Sequence, residues 1–143
     1  MKSCFFIGHR DIAHDILPQL CAEVERHICM YGVTEFIVGH YGAFDRLAAS
    51  AVITAKKQHP EITLSLLIPY HPAERPIAPP PGFDNTFYPP GMENVPRGWP
   101  LSAPTVTWWI TQTTSSLTFG TRQVTRELYW NTLKNGKHAI FFL

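Results

Sequence analysis

Long apolar runs are missing from this chain: none approaches the roughly 18 residues that a membrane-spanning helix needs. The amino terminus has no basic stretch followed by a long apolar segment and a cleavage site, so no secretory leader is expected. These two absences predict a soluble, cytoplasmic protein. Cysteine is scarce. Cys4, Cys21 and Cys29 are odd in number, show no C-x-x-C spacing and fall on apolar strand or helix positions. That pattern disfavours disulfides and predicts that all three fill core space. Charge of one sign is also lacking: 12 basic and 11 acidic residues are dispersed along the chain, for a net charge of +1. The electrostatic footprint of a nucleic-acid partner is therefore absent. Seven histidines occur without a companion Asp, Glu or Cys cluster at ligand spacing, so no metal site is expected. No cofactor is implied either. G-x-S-x-G, a P-loop lysine and a nucleophilic Cys-His arrangement are all missing.

What is present is a 143-residue chain with 45% apolar content, enough for one domain with a real core and too little for two. Ser3 to Ile7 reads as a short buried strand. From Ile16, the residues Ile16, Leu20, Val24, Ile28 and Tyr31 recur at helical spacing, with Leu17, Cys21 and His27 widening the stripe. Gly32 supplies the stop, and Pro18 fits only if the helix starts near it. Glu35 to Val38 is a second strand. Phe44, Leu47, Ala48, Ala51, Val52 and Ala55 line a second helix, which ends in Lys56, Lys57 and the break at His59-Pro60. Thr63 to Ile68 is a third strand. Strands alternating with helices predict an α/β, Rossmann-like three-layer sandwich, built on a mostly parallel sheet of four to five strands.

Beyond Ile68 the pattern changes. Residues 69 to 104 carry 11 of the 13 prolines, which precludes a helix or a central strand and predicts a long loop. Its aromatics Tyr70, Phe83, Phe87, Tyr88 and Trp99 favour an ordered lid over a floppy linker. Gly98 to Thr121 then runs for 24 residues without one charge. Thr121 to Asn135 is expected to form the last helix, although Val124, Leu128, Trp130 and Leu133 do not keep one face. Gly136 to Leu143 reads as a turn and a final strand.

Two glycine turns carry the functional signal. Gly8-His9-Arg10 follows the first strand, and Gly39-His40-Tyr41-Gly42 follows the second. Each opens a helical stretch whose backbone N–H groups could hold a phosphate or carboxylate, although tight strand-to-helix turns call for glycine in any case. Arg10 could pair with a phosphate and Tyr41 could stack on a base, with His9 and His40 beside them in one crevice. The competing reading is exposure on a surface turn. Asp45 suits a ribose hydroxyl and, equally, the dipole of a helix start. In the proline-rich loop, Glu93 and Asn94 could reach over the crevice as a general base or ribose contact, against the alternative of a surface turn.

Several segments in combination resemble the SLOG superfamily, specifically the small YpsA-like bacterial and phage proteins related to DprA/Smf and LOG. They are Ile7-Gly8-His9-Arg10, Val38 to Ala49, Pro69-Tyr70-His71-Pro72-Ala73-Glu74-Arg75, and Phe87 to Pro96. The resemblance implies a nucleotide or nucleotide-derived ligand at the strand ends, held by Gly8, His9, Arg10, Gly39, His40, Tyr41, Gly42, Phe44, Asp45, Tyr70, Glu93 and Asn94. Within that set Gly42 matches the glycine that opens the phosphate-facing turn, with Phe44 packed beneath it. A sensor or regulatory role follows most directly. An N-glycosidic hydrolase with Glu93 or Asp45 as base is the alternative reading, though the Pro-Gly-Gly-x-Gly-Thr-x-x-Glu motif of the LOG enzymes has no match here. A partner-binding or single-stranded DNA module is the third, and the balanced charge disfavours it. Whether copies of the chain associate stays open.

The resemblance covers about the first two thirds of the chain and then stops. Related proteins continue with an Asn-Arg-x-Met-Val-Asp segment, a fourth strand and a small-residue turn opening the last helix. The codons for Pro104 to Thr121, reread one base away with free third bases, can spell PNRYMVDHADYLIAYVWH, which is that missing pattern. The Trp108-Trp109-Ile110 codons, TGG-TGG-ATH, force its Val-Asp step. A frame change is therefore expected between about Arg97 and Pro104, with the family frame regained before Gly136.

Overall fold

The computed structural model describes residues 3–7, 16–40, 42–68, 70–89, 129–132 and 138–142. Five short parallel strands and one antiparallel strand form a single sheet. In chain order the elements are β1 (Ser3–Ile7), α1 (Leu17–Tyr31), β2 (Glu35–Val38), α2 (Ala43–Lys56), β3 (Thr63–Leu67), β4 (Asn85–Phe87), β5 (Tyr129–Thr132) and β6 (His138–Phe142). The sheet order is β4-β3-β2-β1-β6-β5. All neighbours pair in parallel except β5, which runs antiparallel to β6. This is a Rossmann-like α/β fold, one strand larger than the four to five expected.

Period-two burial builds the sheet. Cys4, Phe6, Phe36, Val38 and Leu64 share the face that receives the helices, and all belong to one core with Leu20 and Val24 of α1 and the apolar stripe of α2. Both helices pack against each other over this face. On the opposite face lie Phe5 and Ile37, also buried, and the ring of Phe87 meets Phe5 edge-on with centroids 5.6 Å apart. Glu35 ties three strands together there: it accepts from Ser3 Oγ at 2.7 Å and from Ser65 Oγ at 3.4 Å. The segment expected to form the last helix lies outside the described residues except for 129–132.

Helix ends follow local chemistry. Pro18 sits in the first turn of α1, where no donor is lost, and Gly32 closes the helix at φ 64, ψ 39 with its N–H on the Ile28 carbonyl at 3.1 Å. On α1, Leu20, Val24 and His27 are buried. The His27 ring lies against Tyr31, with centroids 5.1 Å apart, and its Nδ1 is 2.7 Å from the Glu23 carbonyl, which makes Nδ1–H the donor. Burial lowers the His27 pKa below 6.5, against the opposing pull of the Glu23 carbonyl and carboxylate, and Arg26 lowers it further. Cys4 fills core space as expected and Cys21 packs at its margin, but Cys29 is exposed. One position after Ile28, it falls off the apolar stripe.

Two expectations change beyond β3. The proline-rich segment is not all loop: β4 forms in the proline-free stretch between Pro81 and Pro89, as an edge strand, where prolines on either side do no harm. Residues 129–132, expected to be helical, form β5 instead. Tyr129, Trp130 and Thr132 are residues of high strand preference, and Asn135-Gly136 in the connection to β6 is a strong hairpin dipeptide. That local chemistry explains why the apolar residues there keep no helical face.

Asp84 fastens the proline-rich segment to the sheet. Its N–H donates to the Leu64 carbonyl at 2.8 Å, and the Leu64 N–H donates back to Asp84 Oδ2 at 2.8 Å. Lys56 Nζ lies 2.6 Å from both carboxylate oxygens. Burial pushes the Asp84 pKa up, but the Leu64 N–H and the Lys56 ammonium outweigh it and hold the group below its ordinary 3.8. Its contribution to stability is therefore complete above pH 3.8 and is lost as pH falls through the lower folded-state value. Asp84→Ala is expected to cost about 1–3 kcal/mol, because the N–H of fully buried Leu64 loses its acceptor. Urea melts measure this at neutral pH, and the gap from the parent chain should narrow in acid; a constant gap would remove the carboxylate from the explanation.

Candidate functional site

From β1 the chain steps outward through β2, β3 and β4, and β6 then lies on the other side of β1. Strand order thus reverses beside β1, and in open α/β sheets such a reversal leaves a crevice at the carboxyl ends of the strands. β1 ends at Ile7, directly before the first glycine turn; Gly8, His9 and Arg10 themselves lie outside the described residues, as does Tyr41. β2 ends at Val38, directly before the second turn. The strands that lead into the two glycine segments are therefore adjacent and parallel and end on the same edge of the sheet.

In the second turn an acidic side chain closes over a glycine. A Cβ on Gly39 would stand 2.8 Å from Asp45 Oδ2 and 3.3 Å from its Cγ, so the Asp45 carboxylate lies directly over the Gly39 backbone. Gly42 is the N-cap of α2, in extended conformation at φ −153, ψ 178, and brings no side-chain cap to the first-turn N–H groups. Arg46 N–H reaches the Gly42 carbonyl at 3.3 Å and begins the helical ladder. His40 is exposed. Phe44 is only 1% exposed and packs on Phe6 with ring centroids 6.4 Å apart, so it supports the turn from beneath. The edge thus combines a helix N-terminus, which favours anions, with a carboxylate, which accepts from hydroxyls.

β3 and β4 end on this same edge. Past β3, Tyr70 is 44% exposed, with the Arg75 guanidinium 5.9 Å from its ring centroid. His71 meets the ring of Tyr88, past β4, at 5.3 Å, and its Nδ1 accepts from the Ala73 N–H at 3.2 Å. Between these points the chain turns tightly at Pro80-Pro81-Gly82-Phe83: Phe83 N–H donates to the Pro80 carbonyl at 3.0 Å, and Gly82 takes φ 94. Proline second and a positive-φ glycine third make a type II turn. A Cβ on Gly82 would stand 2.6 Å from Ile53 Cδ1, so this turn rests on α2. The stretch from Tyr70 to Asp84 is thus an ordered strap joining the parallel strands β3 and β4 in place of a helix. Tyr88, read from the sequence as one of the aromatics of the loop and not as a site residue, joins His71 through the β3–β4 pairing. Glu93 and Asn94 lie outside the described residues.

Among the described residues no helix is long and apolar enough to cross a membrane. No family model, curated protein or solved structure matches this chain.

Proposed function

We propose that the chain binds a nucleotide or nucleotide-derived small molecule at the carboxyl ends of β1 and β2, in the manner that its SLOG-like motifs imply. The parallel pairing of β1 with β2 carries the reading, because it sets the Gly39-to-Asp45 turn next to the end of the strand that leads into Gly8, and strand order reverses on the other side of β1. In this reading the phosphate takes the uncapped first-turn N–H groups of α2, and Asp45 accepts a ribose hydroxyl. Arg10 supplies the positive charge that keeps phosphate and carboxylate compatible. Tyr70 stands at the neighbouring strand end as a stacking surface. Binding without chemistry, as in a sensor, needs nothing further from the chain.

Isothermal titration against nucleoside monophosphates, dinucleotides and ADP-ribose-type compounds tests the reading. One of these should bind, and Gly39→Val should weaken it at least about tenfold, or 1.4 kcal/mol, by driving Asp45 out of place. Phosphate-bearing and phosphate-free forms of the ligand binding alike would overturn the assignment of the helix terminus.

A further inference from the structure

Glu25 and Cys29 are four residues apart on α1 and so occupy one face of that helix. His59 follows the end of α2, held by its backbone N–H on the Ala55 carbonyl at 2.9 Å. Packing of the two helices brings a Glu25 carboxylate oxygen, Cys29 Sγ and a His59 ring nitrogen within 4.8 Å of one another. His59 Nε2 lies 2.9 Å from Glu25 Oε2, and on the other side of the ring Nδ1 lies 3.4 Å from Glu61 Oε1. One nitrogen therefore faces the cluster while a second carboxylate holds the other.

We propose that Glu25, Cys29 and His59 form a binding site for a zinc-type divalent cation, with Glu61 fixing the imidazole from behind. Thiolate, imidazole and carboxylate are the three donor types that zinc takes, and three protein ligands leave one position for water or an outside group. A carboxylate on the remote nitrogen is the usual partner of a metal-bound histidine. Binding releases the Cys29 thiol proton and the Nε2 proton that His59 directs at Glu25, and leaves the imidazole neutral with its remaining N–H on the Nδ1 side, toward Glu61. A simple Glu25–His59 clasp between helices would need no thiol, and Cys29 serves no packing purpose because it is exposed. Local spacing hides the site, since its donors meet only through tertiary packing. It lies toward the carboxyl ends of α1 and α2, whereas the nucleotide crevice lies at their amino ends, so the two readings stand or fall separately.

Cobalt(II) titration of the full chain, in a thiol-free reductant, tests the site directly. One equivalent should produce thiolate-to-cobalt charge-transfer absorption that zinc displaces. Cys29→Ser should abolish the band and Cys21→Ser should leave it. Glu61→Gln should weaken cobalt binding about 10–100-fold while retaining the band. A natively helical parent chain that gives no charge-transfer band, or a band that survives Cys29→Ser, would overturn the proposal.

Discussion

Phe36→Ala is expected to destabilise the protein by about 3–5 kcal/mol, a large share of the roughly 5–15 kcal/mol that holds a typical domain together. Phe36 has no exposed surface and lies on β2, flanked in register by Cys4 of β1 and Leu64 of β3. Its ring is 6.0 Å from that of Phe6, which in turn meets Phe44 beneath the Gly42 turn. Truncation therefore opens a cavity where strands and helices meet, and rigid β-strand backbones on both sides limit its collapse. Urea denaturation followed by circular dichroism measures the loss. A cost below about 1 kcal/mol with an unchanged denaturant slope would place Phe36 outside the core.

Replacing residues 104–121 with PNRYMVDHADYLIAYVWH is expected to raise the melting midpoint. The replacement contains an apolar run suited to a buried parallel strand, and each large apolar side chain that becomes buried contributes about 1.5–3 kcal/mol. In a doubly wound sheet the position beside β1, opposite β2, belongs to the next parallel strand along the chain. Here β6 occupies it and β5 folds back antiparallel beyond. The same one-base offset continued past Thr121 permits PASNTR, a small-residue helix start, and the Trp130-Asn131 codons, TGG-AAY, force a glutamate at position 131. Calorimetric melts of the two chains decide the matter, and equal midpoints would mean that no strand was lost. The coding DNA gives an independent check: codons 104 to 121 unable to spell the peptide one base away would end the frame reading.

Among the described residues up to Ile68, the elements are legible because local and tertiary preferences agree there. Gly32 ends α1 where the periodicity stops, and the apolar face read for α2 is the buried one, from Phe44 to Ala55. Agreement of this kind lets a pattern alone specify an element. The candidate site was legible as far as its glycines. That the Asp45 carboxylate lies over Gly39 depends on how the turn folds back, which spacing does not encode. Cys29 misled for a related reason: a small apolar residue at a helix margin reads as core, and only the neighbouring α2 shows which side it takes. β4 and β5 were missed for different causes. β4 is three residues long and buried in a proline-rich context, whereas β5 was assigned to a helix although the Asn135-Gly136 turn signal stood beside it.

The strap between β3 and β4 also governs how this sheet meets other molecules. A parallel edge strand presents a row of open backbone groups to which a second chain can add. Here that row is only three residues long, with Pro81 before it and Pro89 after it, neither able to donate. Any extended segment arriving at this side would find too short a template to zip along. The prolines that rule out a crossover helix thus also blunt the β4 margin against fibre-like growth.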